Sequence, residues 1–338
     1  MSGVHIVIES NIPFVRGLLD DVATVSYLAP EEITAETMRS ADALITRTRT
    51  HCNADLLSDS KCRIIASATI GLDHVDCDYC GRRGITVANA PGCNAPAVAQ
   101  YVLASVIAAY GEESLSGLTL GIVGVGHVGK IVEQWSRSLG MNVMLCDPPR
   151  ADVEGGDAFV SLDEIAEKAD IITFHTPLTK GGLYPTYHLA DEQFFNALSR
   201  VPMVINAARG PVIDTPALLD AINSGKVGRV VIDCWEGEPN LNLQLLESAF
   251  IATPHIAGYS HQGKVRATKM AVDAVAAKLG LNPKPMSESV PEGAALIVDA
   301  HSIALSYNPL DDTAALRKNP GMFEDLRNHY QLRVEVGC

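Results

Sequence analysis

The sequence has no apolar run long enough to span a membrane, and basic residues are comparatively few. Of 338 residues, 26 are Lys or Arg and 40 are Asp or Glu, which gives a formal net charge of −14. This acidity argues against nucleic acid or an anionic membrane as the main partner. Residues 1–5 show neither the basic nor the apolar segment of a signal peptide, so we expect a cytoplasmic protein.

Cysteine patterns typical of structural metal sites are also lacking. The chain has 8 cysteines, which we expect to be reduced thiols in a cytosolic protein of this size. Cys77 and Cys80 form a C-x-x-C pair with His74 just upstream, but no second pair follows at zinc-finger spacing. We therefore predict a helix that carries two small thiols, with a metal site as the remote alternative, and expect no metal.

What the sequence does contain is a continuous strand–turn–helix–strand pattern near its middle. The short apolar run 118–123 predicts a buried parallel strand, and residues 124–129 have the G-x-G-x-x-G spacing. Residues 130–139 follow at helical period, and 142–146 predicts a second strand that ends at Asp147. Glycines, helix, strand and acid in this order predict a dinucleotide site.

Each glycine of this pattern has a physical task. Gly124 makes the tight turn, Gly126 allows the backbone to approach a pyrophosphate, and Gly129 allows close packing of helix and strand. The helix N-terminus offers free N–H groups and a positive dipole end to the phosphates. Asp147 is placed to bind both ribose hydroxyls, which disfavours a 2′-phosphate and predicts NAD rather than NADP.

The first hundred residues form an alternation of strands and helices of their own. Strands are predicted over 4–8, 22–27, 43–46, 63–68 and 85–88, with helices over 12–19, 34–40 and 54–57. Such alternation implies a doubly wound parallel sheet, with ligands beyond the carboxyl ends of its strands. Arg47, Thr48, Thr69 and Gly71 follow two of these strands, so we expect a small substrate there.

Two long apolar helices are predicted to join two α/β domains, one over 95–110 and the other over 263–279. We predict a substrate domain from 1–94 with 259–282, and an NAD-binding domain over 95–258. Residues 283–338 begin with a proline-rich linker and continue with a strand-like run at 295–298 and a helix at 316–330. This small α+β appendage is too short to bury much core alone, so we expect it to pack on its own chain or on a neighbouring subunit.

Three residues after the dinucleotide pattern suit the oxidation of a secondary alcohol by hydride transfer: Arg209, Glu238 and His255. A neutral His can take the hydroxyl proton, and a carboxylate beside it raises its basicity. An Arg can bind the carboxylate of a 2-hydroxy acid bidentately and also reach the oxygen on C2. Taken singly, each could be an ordinary turn or loop residue, but together they favour an enzyme.

The order of these motifs resembles the D-isomer-specific 2-hydroxyacid dehydrogenase family. The resemblance covers about residues 4–282 well and the tail weakly. The segments that carry it are 68–76, 90–95, 124–129, 145–150, 173–178, 206–210, 233–239, 254–259 and, in the tail, 311–312 and 323–327. It implies a Rossmann NAD-binding domain, a flavodoxin-like substrate domain, and a C-terminal domain through which the protein forms a homodimer. The tail beyond 282 is shorter than the C-terminal domain that the resemblance leads us to expect.

The resemblance also implies roles for single residues. His255 is then the acid/base, Glu238 its partner, and Arg209 the ligand of the substrate carboxylate. Substrate contacts are implied for Thr48, Thr69, Gly71 and Tyr259. NAD contacts are implied for Gly124, Gly126, His127, Val128, Gly129, Asp147, Thr176, Ala207, Ala208, Arg209, Asp233 and Gly258. Arg47 is the candidate for binding a substrate phosphate, because guanidinium matches phosphate geometry, with Arg49 as the alternative.

The resemblance therefore predicts NAD-dependent oxidation of a four-carbon phosphorylated 2-hydroxy acid. One alternative is a dehydrogenase of the same kind that acts on 3-phosphoglycerate, glycerate or D-lactate, because the hydride machinery would be the same. A second alternative is a corepressor-like protein that senses NAD. The presence of Arg209, Glu238 and His255 together disfavours the sensor.

Overall fold

The computed structural model of the chain describes residues 3–288, 290 and 298–337. Within this part of the chain the β-strands are β1 (His5–Glu9), β2 (Thr24–Leu28), β3 (Ala43–Thr46), β4 (Ile64–Ser67), β5 (Thr86–Ala88), β6 (Thr119–Val123), β7 (Asn142–Cys146), β8 (Ile171–Phe174), β9 (Met203–Asn206), β10 (Arg229–Ile232) and β11 (Ile251–Ala252). The α-helices are α1 (Ala35–Met38), α2 (Ala54–Leu57), α3 (Cys77–Arg82), α4 (Ala95–Tyr110), α5 (His127–Ser138), α6 (Pro148–Glu154), α7 (Leu162–Lys168), α8 (Glu192–Asn196), α9 (Thr215–Asn223), α10 (Leu243–Ser248), α11 (His261–Leu279), α12 (Ala300–Ser306), α13 (Pro309–Lys318) and α14 (Phe323–Asn328).

The chain divides into two compact units. The first comprises Met1–Asn94 and His261–Glu292, and the second comprises Ala95–Ser260 and Gly293–Cys338. None of the helices in the described ranges is long and apolar enough to cross a membrane.

The first unit contains a five-stranded sheet with the order β2-β1-β3-β4-β5, in which every pairing is parallel. Both faces of this sheet are covered, because successive residues of β1 join different apolar clusters. Ile6 and Ile8 pack with α11 residues such as Val275, whereas Val7 packs on the opposite face with Leu44. Burial on both faces explains why the sequences of these strands are short, continuous runs of apolar residues.

The helix predicted over 12–19 is wrong, because this segment consists of turns. Ile12, Val15 and Leu19 are buried at helix-like spacing and fill the core of the first unit. Pro13 and Gly17, whose φ is +82°, interrupt a regular helix between them.

The second unit contains a six-stranded sheet with the order β11-β10-β9-β8-β6-β7, also parallel throughout. Leu120 and Ile122 of β6 belong to the cluster on one face, and Val123 belongs to the cluster on the other. The strand order reverses at β6, which lies between β7 and β8. The predicted pair of doubly wound parallel-sheet domains is therefore confirmed, and the glycine-rich turn lies at the reversal point where such sheets bind ligands.

From Val298 onward the described part of the tail packs on the second unit and does not enclose a core of its own, whereas Lys284 and Met286 contact the first unit. Ile303 and Tyr307 join the cluster on one face of the six-stranded sheet, and Leu316 and Phe323 join the cluster on the other. This division differs from the separate domain predicted over 283–338, because so short a segment can bury its apolar side chains only against a larger neighbour.

Two further predictions concern local structure in the tail and near the C-x-x-C pair. The strand-like run at 295–298 lies outside the described residues except for Val298. The single helix predicted over 316–330 is interrupted between α13 and α14, where Pro320 and Gly321 follow Asn319. Cys77 and Cys80 lie on α3, as predicted, and the described ranges contain no group of three or more His, Cys, Asp or Glu residues suited to a metal.

Candidate active site

The glycine-rich turn connects β6 to α5 with close backbone packing. A Cβ at Gly124, whose φ is +91°, would lie 2.8 Å from the carbonyl carbon of His175. A Cβ at Gly129 would lie 2.3 Å from the carbonyl oxygen of Gly124, which explains why the helix can start so close to the strand. Gly126, in contrast, has open space where a Cβ would be. The structure thus confirms the tight turn predicted at Gly124 and the close packing predicted at Gly129.

Gly126 is also the N-cap residue of α5 and offers no side chain to the first N–H groups of the helix. His127 is exposed and Val128 is half-buried at this end of α5. Unsatisfied N–H groups and the positive end of the helix dipole favour an anion at this position.

Asp147, at the end of β7, is hydrogen-bonded to the glycine-rich turn. Its Oδ2 accepts the backbone N–H of Val125 at 2.7 Å, and its Oδ1 accepts the backbone N–H of Arg150 at 3.1 Å. Arg150 in turn donates from Nη1 to the carbonyl oxygen of Val125 at 2.8 Å. The acid therefore holds the turn and caps α6 in addition to the ribose contact that the sequence predicts.

The end of β8 lies beside this turn, because β8 is the neighbour of β6 in the sheet. The Oγ1 atom of Thr176 and the Nδ1 atom of His175 are buried without a hydrogen-bond partner among the described residues. Burial lowers the pKa of the His175 imidazole to about 3, so this ring is neutral at physiological pH. A buried hydroxyl without a partner is costly, and a ligand that accepts or donates a hydrogen bond at Thr176 would remove that cost.

The loop after β9 carries Ala207, Ala208 and Arg209, and Asn206 fixes its shape. The Asn206 side chain accepts the N–H of Ala208 at 3.2 Å and donates to the carbonyl oxygen of Arg209 at 3.0 Å. A Cβ at the next residue, Gly210, would lie 2.1 Å from the backbone of Trp235, so only glycine fits there. This packing brings the Arg209 loop against the segment that carries Glu238.

His255 and Glu238 form a direct pair. Nδ1 of His255 lies 2.7 Å from Oε1 of Glu238, and about a quarter of each side chain is exposed, 24% and 26% respectively. The second oxygen of Glu238 accepts the backbone N–H of Trp235 at 3.2 Å. This arrangement directs a proton on Nδ1 toward the carboxylate and leaves Nε2 to react.

Both members of this pair favour their charged forms although burial acts against them. Burial works to lower the pKa of the His255 imidazole, but the adjacent sulfur of Cys234 and the Glu238 carboxylate outweigh it and raise that pKa well above its ordinary value. Burial raises the pKa of the Cys234 thiol, so the sulfur is uncharged at neutral pH and the anion that matters is Glu238. Burial likewise acts to raise the pKa of Glu238, yet the hydrogen bond from His255 brings it below the usual value.

Asp233 lies beneath the loop that carries His255 and is 1% exposed. Its Oδ1 accepts the hydroxyl of Thr253 and the N–H of Ile256, both at 2.7 Å, and its Oδ2 accepts the N–H of Ala257 at 3.0 Å. Sequence reasoning assigned Asp233 only to the cofactor. The structure gives its carboxylate a second task, which is to hold the His255 loop in place.

Gly258 and Tyr259 continue the same loop and are half-buried. The Tyr259 ring meets the ring of Tyr330 edge to face, with their centroids 6.1 Å apart. Its hydroxyl is hydrogen-bonded to Arg327, a tail residue that sequence reasoning did not assign to the site.

The candidate substrate residues of the first unit lie at the carboxyl edge of its own sheet. The backbone N–H of Arg47 and the hydroxyls of Thr46 and Thr50 all donate to Oε2 of Glu9, at 3.0, 2.8 and 3.1 Å. Thr48 is exposed in the loop that these bonds hold. Glu9 is fully buried at the end of β1. The sequence does not assign it to the site, because a single acid at the end of an apolar strand belongs to no recognisable motif.

The neighbouring loop, after β4, carries Thr69 and Gly71. The Thr69 hydroxyl lies 2.6 Å from the hydroxyl of Ser67 and donates to the carbonyl oxygen of Gly71 at 3.2 Å. Because β3 and β4 are adjacent in the sheet, the Arg47–Thr48 loop and the Thr69–Gly71 loop follow neighbouring strands.

Comparison with known proteins decides the family. Residues 97–257 match the family described as D-isomer specific 2-hydroxyacid dehydrogenase, NAD binding domain. The chain is 46% identical over 339 residues to the erythronate-4-phosphate dehydrogenase of Bacteroides thetaiotaomicron, an alignment that covers 98% of this chain and 97% of that protein. It is 39% identical over 348 residues to the enzyme of the same name from Escherichia coli, with 98% and 92% covered. The chain belongs to the erythronate-4-phosphate dehydrogenase family.

Solved structures agree with this assignment at the level of the fold. The TT0316 protein of Thermus thermophilus matches with a TM-score of 0.70 and 26% identity, covering 84% of this chain and all 100% of that one. The D-lactate dehydrogenase of Aquifex aeolicus, complexed with NAD and lactic acid, matches with a TM-score of 0.66 and 26% identity, covering 81% and 95%.

NAD is the cofactor of this family, and the residues of the second unit fit it. The space beside Gly126 is open, the first turn of α5 supplies N–H groups suited to a pyrophosphate, and the buried hydroxyl of Thr176 has no partner in the part of the chain that the structure describes. Asp147 lies at the strand end where the ribose of a dinucleotide is bound in such folds.

Proposed function

We propose that this dehydrogenase oxidises 4-phospho-D-erythronate to 3-hydroxy-2-oxo-4-phosphooxybutanoate with NAD, as a step of pyridoxal 5′-phosphate biosynthesis. The observation that carries the proposal is the 2.7 Å pair of His255 and Glu238 on an NAD-binding unit. The near full-length likeness to erythronate-4-phosphate dehydrogenases supports the choice of substrate.

In the proposed reaction His255 removes the proton of the C2 hydroxyl. The neutral ring keeps its proton on Nδ1, toward Glu238, and accepts the substrate proton on Nε2. Glu238 stabilises the imidazolium that results, because the carboxylate is already hydrogen-bonded to the ring and to the Trp235 N–H. NAD supplies the acceptor for the hydride that leaves C2.

Arg209 is the proposed ligand of the substrate carboxylate. Its loop is fixed by Asn206 and packs against the backbone of Trp235, three residues before Glu238. A guanidinium at this position can bind the carboxylate in a bidentate manner and place a positive charge beside the oxygen on C2 as it becomes a carbonyl.

Substrate specificity is proposed to come from the first unit and from Tyr259. Thr48, Thr69 and Gly71 would contact the substrate, and Arg47 would bind its phosphate. The bonds from Arg47 N–H, Thr46 and Thr50 to Glu9 support this assignment, because they order the loop that carries Arg47 and Thr48.

The test is the initial rate of NAD reduction with 4-phosphoerythronate against 3-phosphoglycerate, D-glycerate and D-lactate. The purified protein is first examined for bound NADH, and a 2-oxo acid is supplied as a possible acceptor. We expect kcat/KM for the four-carbon phosphate to exceed that of every other acid by at least about tenfold. A preference for another acid would retain the hydride chemistry and overturn the proposed substrate, and no turnover with any of them would favour an NAD-sensing role.

We also propose that the enzyme is a cytoplasmic homodimer. The family resemblance implies dimers through the C-terminal segment, and the tail exposes Leu305 and Val334, which are 75% and 53% accessible. Light scattering during size-exclusion chromatography tests the dimer, and a monomer at micromolar concentration would contradict it.

A further inference from the structure

The loop that carries His255 is held from two sides by opposite charges. On one side, Asp233 accepts the N–H groups of Ile256 and Ala257 at 2.7 and 3.0 Å. On the other side, Arg333 of the tail donates from Nη1 to the carbonyl oxygen of Ile256 at 3.0 Å and from Nη2 to the carbonyl oxygen of Ala257. Both residues that follow His255 are therefore bonded through their N–H and through their C=O to charged side chains.

Arg333 is itself tightly fixed. Arg333 is only 8% exposed, and its guanidinium lies 4.4 Å from the centre of the Tyr307 ring. It also donates to the carbonyl oxygen of Ala97 at 3.0 Å and to the side-chain oxygen of Gln100 at 3.3 Å, both on α4. The guanidinium thus connects the His255 loop to a long buried helix.

The backbone of His255 requires such support. Its φ is +56°, in the left-handed region that a residue with a Cβ seldom occupies. A residue in this conformation persists only where its surroundings hold it there. The two residues after His255 are the ones gripped by Asp233 and Arg333, and Ser260 adds a bond to Glu335 of the tail at 2.7 Å.

We propose that Arg333 is a positioning residue for the dehydrogenase reaction: it holds the His255 loop from the side opposite Asp233, so that the imidazole faces Glu238. The tail is thereby part of the active-site framework and not only a candidate dimer surface. The tests of this inference that measure kcat rest on the proposed function, whereas the titration of His255 does not.

The first test is substitution of Arg333 by Met, which keeps the apolar stem and removes the donors. We expect kcat to fall by roughly 10- to 100-fold, because small displacements of a catalytic group have effects of this size. Arg333→Lys keeps the charge but cannot reach both carbonyl oxygens, so it should recover only part of the loss. Added guanidinium should partly restore turnover to Arg333→Ala.

Arg317 provides the matched control. This second arginine of the tail also donates to backbone carbonyl oxygens, those of Leu246 and Ala249, but does so away from the His255 loop. Arg317→Met should lower the temperature of unfolding without moving kcat by more than about twofold. An equal loss of kcat in both Met variants would overturn the proposal and assign the effect to general weakening of the tail.

The second test needs no substrate. The pKa of His255 is measured by NMR on protein with isotope-labelled histidine, in the wild type and in both Met variants. We expect the raised pKa to move toward the ordinary histidine value in Arg333→Met, because the pair with Glu238 loosens, and to stay unchanged in Arg317→Met. If Arg333→Met does not fold, Arg333→Lys is titrated instead. An unchanged His255 pKa in a folded Arg333 variant would overturn the proposal even if the proposed substrate were wrong.

Discussion

Nδ1 of His255 lies 2.7 Å from Oε1 of Glu238, and the other oxygen of Glu238 is bonded to the backbone of Trp235. The carboxylate is thus fixed before the imidazole becomes charged. This geometry raises the pKa of His255 despite burial, because the charged form of the ring gains a partner that the neutral form uses less well.

The first prediction concerns the pH dependence of substrate oxidation. The reaction needs neutral His255, so kcat should rise as pH increases through the raised pKa of that ring. In Glu238→Gln the anionic partner is gone, so the acidic limb should move to lower pH, toward the ordinary value of about 6.5. The plateau should fall by roughly 10²-fold. Superimposable pH profiles for the two proteins would contradict this account.

The second prediction separates the two kinds of glycine in the β6–α5 turn. Gly126→Ala places its Cβ in open space, so the free energy of unfolding should change by less than about 0.5 kcal/mol while KM for NAD rises. Gly129→Ala forces a contact with the backbone of Gly124 and should cost about 1–3 kcal/mol. Urea unfolding and NAD titration measure both. Unchanged NAD binding in Gly126→Ala is the adverse result.

The third prediction concerns cofactor choice. The wild type should prefer NAD to NADP by roughly 10²-fold in kcat/KM, because the Asp147 carboxylate repels a 2′-phosphate. Asp147→Asn removes that charge and also one of the bonds to Val125 and Arg150, so discrimination should weaken and KM for NAD should rise. Asp163→Asn, an exposed acid of α7, is the control. Equal efficiency of the wild type with both cofactors would refute the assignment.

The fourth prediction tests the first unit. Glu9→Gln weakens the hydrogen bonds that Arg47, Thr46 and Thr50 donate to the carboxylate, so the substrate loop should become less ordered. We expect KM for 4-phosphoerythronate to rise about tenfold while the Kd for NADH stays within twofold. Glu31→Gln, an exposed residue, is the control. An unaltered KM in the Glu9 variant would show that this loop does not bind substrate.

Much of the fold could be predicted because its signals are local. The apolar run and the glycine spacing mark β6 and α5, and the structure has both elements within a few residues of their predicted positions. Ser161 and Glu164 form a capping box at the start of α7, which is another signal made by residues close in sequence. The helix prediction over 12–19 is wrong because helix-like spacing of buried residues also arises in a turn that lines a core.

In the candidate site, too, some residues could be assigned from the sequence and others could not. The family resemblance implies that Glu238 is the partner of His255, and in the structure the two side chains are hydrogen-bonded. Asp233 and Arg333 could not be assigned to the His255 loop, because they bind its backbone and lie 23 and 77 residues from Ile256 in sequence. Every residue type offers backbone N–H and C=O groups, so the identity of Ile256 or Ala257 does not reveal which side chain binds its backbone. Such supports become visible only once the chain is folded.

The most direct test of the account is a single-turnover experiment with His255→Asn and the wild type. Enzyme in excess of NAD is mixed with 4-phosphoerythronate, and NADH formation is followed in time, while NADH affinity is measured separately. We predict that the variant binds NADH as the wild type does and forms NADH at least about 10²-fold more slowly. NADH formation at a near wild-type rate in His255→Asn would contradict the central claim that this histidine is the acid/base of the reaction.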